Sequence, residues 1–234
     1  MKYTLLNSDH SGVPGLRFRP IRKGPEADMV QTFLDSLHIK TPRGCSVTLF
    51  QEPRLDSGFP DLVVVVWHRA TAEKWNPMRL HLQSTDIRVL HYLTTTGASK
   101  KTDVERFFGP KVADSLDKLE AAEMVRHTRQ RYVARPLPKL YATRNIISVE
   151  AKVSEWRDAL DQAFTNRWFA SESVVLLPKV PRGSVLLSQA ESLGVGVWSM
   201  DDVCCIDARN KDATPPASYA SWLFNEWAWR ALNT

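Results

Sequence analysis

Cysteine is scarce in this 234-residue chain, limited to Cys45, Cys204 and Cys205. An odd count with one adjacent pair is no disulfide framework, and no CxxC spacing offers a zinc site. Cys204 and Cys205 follow an apolar, strand-like run and read as buried thiols, so a reducing cytoplasm is the expected compartment. No apolar run approaches the length of a membrane span. The opening Met1-Lys2-Tyr3-Thr4-Leu5-Leu6-Asn7 also lacks the apolar stretch of a secretory leader. The GxxxxGK[ST] phosphate loop, the GxSxG nucleophile elbow and the HExxH zinc helix are all missing, which removes three common chemistries. The six histidines, at positions 10, 38, 68, 81, 91 and 127, are scattered without ligand spacing. His68, just after a core strand, reads as a capping or structural residue.

What the chain does have is ordinary globular material with a basic tilt. Hydrophobic residues make up 43%, enough for one large core or two smaller ones, and charged residues 24%, which argues against wholesale disorder. The formal net charge of +5 and a sequence pI near 9.2 suit an anionic partner without naming one.

The periodicities outline an α/β chain with an interruption. Residues 11–23 are basic and punctuated by Gly and Pro, as in an extended arm. Pro25 and Glu26 open a helix whose apolar stripe is Met29, Val30, Phe33, Leu34 and Leu37. Residues 45–50 read as a strand. The β-branched run after Asp61 is continuous rather than alternating, as in a strand covered on both faces. Residues 68–83 are hard to assign. From Ser84 the pattern changes to three helices, one ending near Gly97, one at 100–108 and one at 111–124. Two short strands follow within 125–133, around a polar tip. That order resembles a winged helix-turn-helix. Strand character returns at 141–153, then a helix at 154–170 with Trp156, Leu160, Ala163, Phe164 and Trp168 as its stripe. A strand at 173–177, a helix at 184–193 and a strand at 195–200 complete an alternation typical of α/β sheets. The tail, 219–232, reads as a helix carrying three tryptophans.

Three pieces could carry chemistry. Pro60-Asp61 precedes a core strand, Glu150-Ala151-Lys152 closes another, and Glu26 sits on an early helix. Residues two apart in a strand share a face, so Glu150 and Lys152 point together while Val149, Ala151 and Val153 point into the opposite layer. Desolvating a carboxylate and an ammonium at the end of a core strand is costly, and such a pair needs a reason. Carboxylates on neighbouring strands could hold Mg²⁺ or Mn²⁺, which acidifies water and offsets charge on a phosphate, with the lysine nearby.

Pro60-Asp61 followed by Glu150-Ala151-Lys152 resembles the PD-(D/E)xK nuclease motif, and the flanking order resembles that superfamily's core over roughly residues 20–67 and 140–205. The resemblance implies a restriction-endonuclease-like α/β fold, with a mixed central sheet flanked by helices. It also implies metal binding by Asp61 and Glu150, a catalytic Lys152, Glu26 completing the site and Gln162 as an accessory glutamine. The long gap between the two motifs departs from the usual close succession. It is explained if 84–135 is a winged-helix insertion and the core is discontinuous, 1–83 and 136–234.

The insert carries Lys100, Lys101, Lys111, Lys118, Arg126, Arg129, Arg131 and Arg135, and residues 126–135 contain no acid. Such residues would supply phosphate contacts, with the third helix in the major groove and the wing near Arg129 against the backbone or minor groove. Elsewhere in the insert acids are interleaved, as on a solvated face. The expected function is therefore a metal-dependent DNA endonuclease. The alternatives are a catalytically silent DNA-binding regulator, or a protein-interaction subunit of a larger DNA-processing complex. A homodimer would let two sites cut both strands.

Overall fold

In the computed structural model of the chain, residues 3–9, 12–180, 185–201, 205–207 and 214–233 are described. In chain order the first elements are β1 (Thr4–Leu6), α1 (Pro25–Ser36), β2 (His38–Lys40), β3 (Cys45–Gln51) and β4 (Leu62–His68). Next come α2 (Arg69–Ala72), a 3-10 turn (Pro77–His81), α3 (Ser84–Thr96), β5 (Ser99–Lys100), α4 (Lys101–Phe108), α5 (Val112–Ala121), β6 (Val125–Thr128), β7 (Arg131–Ala134) and α6 (Leu137–Leu140). The remainder holds β8 (Thr143–Ala151), α7 (Trp156–Asn166), β9 (Glu172–Leu177), α8 (Leu186–Leu193), β10 (Gly196–Ser199), β11 (Cys205–Asp207) and α9 (Tyr219–Arg230). These elements fall into two compact units.

The first unit spans residues 1–11, 16–67 and 143–217. It is an α/β unit built on a mixed six-stranded sheet in the order β1-β3-β4-β8-β9-β10. The pair β4/β8 is antiparallel, while β1/β3, β8/β9 and β9/β10 are parallel. Every residue from Leu62 to Trp67 is buried, as the unbroken apolar run leads one to expect of a strand covered on both faces. On one face Leu62, Val64, Val66, Val149 and Ala151 pack against Met29, Val30, Phe33 and Leu34 of α1. On the other, Val175 and Leu177 pack against Ala159, Leu160 and Ala163 of α7 and Leu186 and Ala190 of α8. The expected arm is extended only in part: the chain turns at residues 13–15, with Gly15 left-handed at φ 78°, and beyond that turn Phe18 pairs with Pro53.

Three local expectations need correction. Val153 does not enter the α1 layer; it lies beyond the end of β8 and is 44% exposed. The helix after β8 is shorter than residues 154–170, which leaves Trp168 beyond its end; Leu160 and Ala163 of the expected stripe are buried, with Ala159 and Asn166 beside them, and Trp156 packs partly buried against that cluster. Phe164 is exposed, its ring under the Arg167 guanidinium. A small-residue face lets α7 lie close to the sheet, which a row of large aromatics would prevent. Cys45 is buried and free, whereas Cys204 and the start of the helix expected at 184 lie outside the described residues.

The second unit comprises residues 12–15, 68–142 and 218–234. Helix α3 stops at Gly97 and α4 at Gly109, each with a φ near 80° that favours glycine. Helices α3 and α4 pack on α5, and β5-β7-β6 form a small antiparallel sheet. The third helix ends at Ala121, before the expected 124, because the chain turns through Glu123 (φ 56°) into β6. The β6–β7 tip is a two-residue turn, with Arg129 and Gln130 both left-handed at φ 47° and 61°, as a type I′ hairpin requires.

The boundary of this unit departs from the expected 84–135. Residues 68–83, 136–142 and the tail belong to it, and the reason is α9. Its residues Ala220 to Arg230 are all buried, so it is a central helix and not a surface appendage. Trp222 packs edge-on against Tyr141, and α9 packs along α3. Its polar positions are buried with partners. Glu226 is fully buried and paired with Arg79, whose Nη2 also donates to the Leu140 carbonyl at 2.9 Å. Asn225 Oδ1 accepts from Ala142 N at 2.9 Å, and Arg230 Nη2 donates to the Arg79 carbonyl at 2.8 Å. Removing one partner of such a pair strands a buried charge. Glu226→Ala is therefore expected to destabilise the unit by about 3–5 kcal/mol, read as a lowered urea midpoint; a change under about 1 kcal/mol, the value of an exposed pair, would contradict it.

Candidate functional site

The strand register decides where the candidate residues meet. In the antiparallel pair, Leu62 lies opposite Val149 and Val63 opposite Ser148. One step outward, Asp61 stands opposite Glu150 on the same face, although 88 residues separate them in sequence. The Asp61 Oδ2 accepts from the Ala151 backbone N–H at 2.7 Å, which fixes the carboxylate at the strand end. Glu150 is 4% exposed, and its Oε1 accepts from Asn166 Nδ2 on α7 at 2.6 Å. Lys152 is anchored by its own N–H to the Leu176 carbonyl (3.0 Å), and its Nζ lies 3.0 Å from Glu26 Oε1. Glu26 stands in the first turn of α1, just after Pro25. All four line one cleft of about 580 Å³.

Several residues of this cleft were not anticipated. Glu52, at the exit of β3, donates its backbone N–H to the Asp61 carbonyl at 3.1 Å and holds a left-handed φ of 56°. A non-glycine residue held there costs on the order of 1–3 kcal/mol, and such strain gathers at functional positions. Arg19, from the arm, donates Nε to Glu52 Oε2 at 2.9 Å and places Nη2 3.9 Å from Asp61 Oδ1. Gln162 lines the cleft as expected, but the carboxamide that reaches Glu150 belongs to Asn166, one helical turn later. An acid directly after an apolar strand, Gln51-Glu52-Pro53, was a signal available in the sequence. Asn166 had none beyond its i+4 relation to Gln162.

Charge in the cleft is expensive. Burial is the largest influence on Glu150, and the neighbouring Asp61 adds to it, so its carboxyl sits well above the usual range. Burial likewise raises Asp61, against the opposing pull of the Ala151 hydrogen bond, Lys152 and Arg19. Glu52 is pushed up to about 7, first by burial and then by Asp61, with Arg19 pulling back. For Lys152, burial lowers the pKa, but Glu26, Asp61 and Glu150 together outweigh it and the net shift is upward. The ammonium is thus held charged.

In the second unit Lys100, Lys101, Lys111, Lys118, Arg126, Arg129 and Arg131 are all exposed. Lys100 and Lys101 start α4, Lys111 precedes α5, and Lys118 is in the last turn of α5. Arg126, Arg129 and Arg131 lie on the β6–β7 hairpin and its tip, where Arg131 Nη1 donates to the Ala98 carbonyl at 3.1 Å. Lys101 is 3.8 Å from Glu105, an exposed i,i+4 pair.

The donor chemistry of the first-unit cleft fits a hard cation. Asp61 raises the pKa of the desolvated Glu150 that it faces, and a divalent ion would relieve that repulsion. Mg²⁺ is commonly bound by one or two carboxylates, with waters and substrate phosphates completing the shell. Among the described residues no group of three or more His, Cys, Asp or Glu is arranged to hold a metal, so the protein's contribution would be the pair Asp61 and Glu150. Compared with protein-family profiles, curated proteins and solved structures, the chain matches none. No helix among the described residues is long and apolar enough to cross a membrane.

The raised carboxyls set a pH dependence. A group whose native pKa exceeds its unfolded value holds a proton that the unfolded chain has released, so stability falls as pH rises between the two values. For Glu52 that window runs from 4.5 to about 7, and the loss across it is up to about 3 kcal/mol. Urea unfolding at a series of pH values is expected to show this decline, and Glu52→Gln to flatten it. A wild-type profile that is level or rises through that window would rule out a Glu52 carboxyl raised by burial and by Asp61.

Proposed function

We propose that the chain is a metal-dependent DNA endonuclease with a PD-(D/E)xK core in its first unit and a DNA-holding winged helix in its second. The observation that carries this reading is the pairing of Asp61 with Glu150 across β4 and β8, with Lys152 in the same cleft. Asp61 and Glu150 would hold Mg²⁺ or Mn²⁺. When bound, the ion supplies a Lewis acid that acidifies water and offsets charge on the scissile phosphate. Asn166 orients the Glu150 carboxylate, and the Ala151 N–H orients that of Asp61. Lys152, kept protonated by Glu26 and its other acidic neighbours, serves as an electrostatic stabiliser of the pentacovalent phosphate and not as a general base.

The second unit supports the DNA assignment through its element order, α3-α4-α5 followed by the β6–β7 hairpin, and through the exposed lysines and arginines along it. Lys111, just before α5, and Lys118, in its last turn, would meet phosphates flanking the major groove, and Arg126, Arg129 and Arg131 would meet the backbone beside it. These contacts supply affinity without reading sequence, so binding should weaken steeply with salt.

The test is cleavage of supercoiled plasmid and linear duplex with Mg²⁺, Mn²⁺ or EDTA. Wild type is expected to cut only with metal. Asp61→Ala and Lys152→Ala are expected to lose at least about 100-fold in rate, the scale of losing one preorganised charge stabiliser, while still binding DNA. Arg126→Ala with Arg129→Ala should instead weaken binding and flatten its salt dependence. Equal cutting by wild type and both cleft variants would overturn the reading. Salt-sensitive binding with no cutting under any metal would favour the DNA-binding regulator, for which the exposed basic hairpin is the independent observation.

A further inference from the structure

A second cavity, of about 390 Å³, lies wholly within the second unit and apart from the basic hairpin tip. Arg135, on its wall, is four residues along the chain from Arg131, at the base of β7 where its N–H donates to the Met124 carbonyl (2.8 Å). In extended chain that is about 13 Å from the hairpin tip. The other walls come from the segment after β4, from Ala122 and Glu123 after α5, and from α6.

The charges facing this space are unbalanced. Arg79 lines it, but its guanidinium is taken by Glu226 and stacked over Trp75, 3.5 Å from the ring centroid. That leaves Lys74, Arg135 and Lys139 against a single acid, Glu123. The Nε of Arg135 is buried and meets no acceptor among the described residues. That nitrogen is itself shut off from the cavity's open space, and it is the surplus of cationic groups lining the cavity, three against one acid, that points to an anion supplied from outside. The walls are fixed in advance. Trp75 Nε1 donates to the Lys139 carbonyl at 2.8 Å, and Asn76 Oδ1 accepts from Met78 N at 2.9 Å. Preorganised walls with surplus cationic donors make a phosphate site, since arginine offers a planar fork and lysine a point charge to the same oxygens.

We propose that this cavity binds a phosphate group through Arg135, Lys74 and Lys139, separately from the exposed basic residues of the hairpin. The phosphate could belong to the DNA backbone or to a small phosphorylated molecule, and the chemistry of recognition is the same. This inference does not depend on the nuclease reading.

The full chain is titrated with inorganic pyrophosphate by calorimetry at constant ionic strength. One saturable site is expected, with Arg135→Gln and Lys74→Gln each weakening it about tenfold, the value of one charge-assisted hydrogen bond. Lys179→Gln, an exposed position in the first unit, should bind as wild type. Lys74 is exposed, so its variant keeps the test open if Arg135→Gln does not fold. A short DNA duplex is then added as competitor. Displacement of pyrophosphate assigns the site to backbone phosphate, and its absence assigns it to a small phosphorylated ligand. No saturable binding, or binding unchanged in the Lys74 variant, would overturn the proposal.

Discussion

The register between β4 and β8 is the constraint on which the first unit's chemistry depends. A slip of one residue would turn Asp61 to the opposite face and away from Glu150. The hydrophobic pattern cannot prevent that slip by itself, because Val63 to Val66 is uniform and buried on both faces. Polar contacts do the pinning. The Trp67 indole, beside the bulge between Val66 and Trp67, donates to Thr48 Oγ1 of β3 at 3.1 Å and fixes that end of β4 against β3. At the other end the Asp61 carboxylate accepts from Ala151 N. Asp61 is thus both a register pin and a candidate-site residue, and a substitution there tests two roles unless folding is measured beside activity.

The same register explains how a long excursion leaves the site intact. The chain departs after Trp67 and returns at Thr143, which are paired residues, so the ends of the excursion are already neighbours. Closing a loop whose ends are held together by a ladder adds little entropic cost, because that cost grows only slowly with length. Insertion at this point leaves the pairing from Leu62 to Val66, and hence the meeting of Asp61 and Glu150, untouched.

Much of this was legible in the sequence, and the failures have physical causes. The α1 stripe, the buried valine strand and the Glu150-Ala151-Lys152 strand end follow from periodicity, which reports burial directly. The partnership of Arg19 with Glu52 did not, because it depends on the arm pairing with the turn after β3, a long-range contact with no local signature. The tail was harder still. Its three tryptophans announced burial but not against what, and the decisive contacts, Arg79 to Glu226 and Asn225 to Ala142, join residues more than 80 apart. On α7, aromatic residues suggested the buried face, while the sheet selected alanines because close approach excluded larger side chains.

The two units treat buried charge in opposite ways, and the contrast separates support from chemistry. In the second unit Arg79 and Glu226 are matched one to one, and Arg79 is further bonded to the Leu140 carbonyl and stacked on Trp75. Nothing there calls for a further ion, and the arrangement reads as structural. In the first unit Glu26, Glu52, Asp61, Glu150 and Asp161 line one cleft with Arg19, Arg22 and Lys152, and Glu150, the most buried of these acids, faces Asp61 and takes its hydrogen bond from the neutral Asn166. Burying repelling carboxylates lowers stability, and a fold gains nothing from it unless a positive species visits the site. The cavity around Arg135 shows the converse imbalance, with surplus cations and an unpaired buried donor. Uncompensated charge of each sign, placed in a space large enough to hold a ligand, is where this protein gives up stability that a purely structural design would have kept.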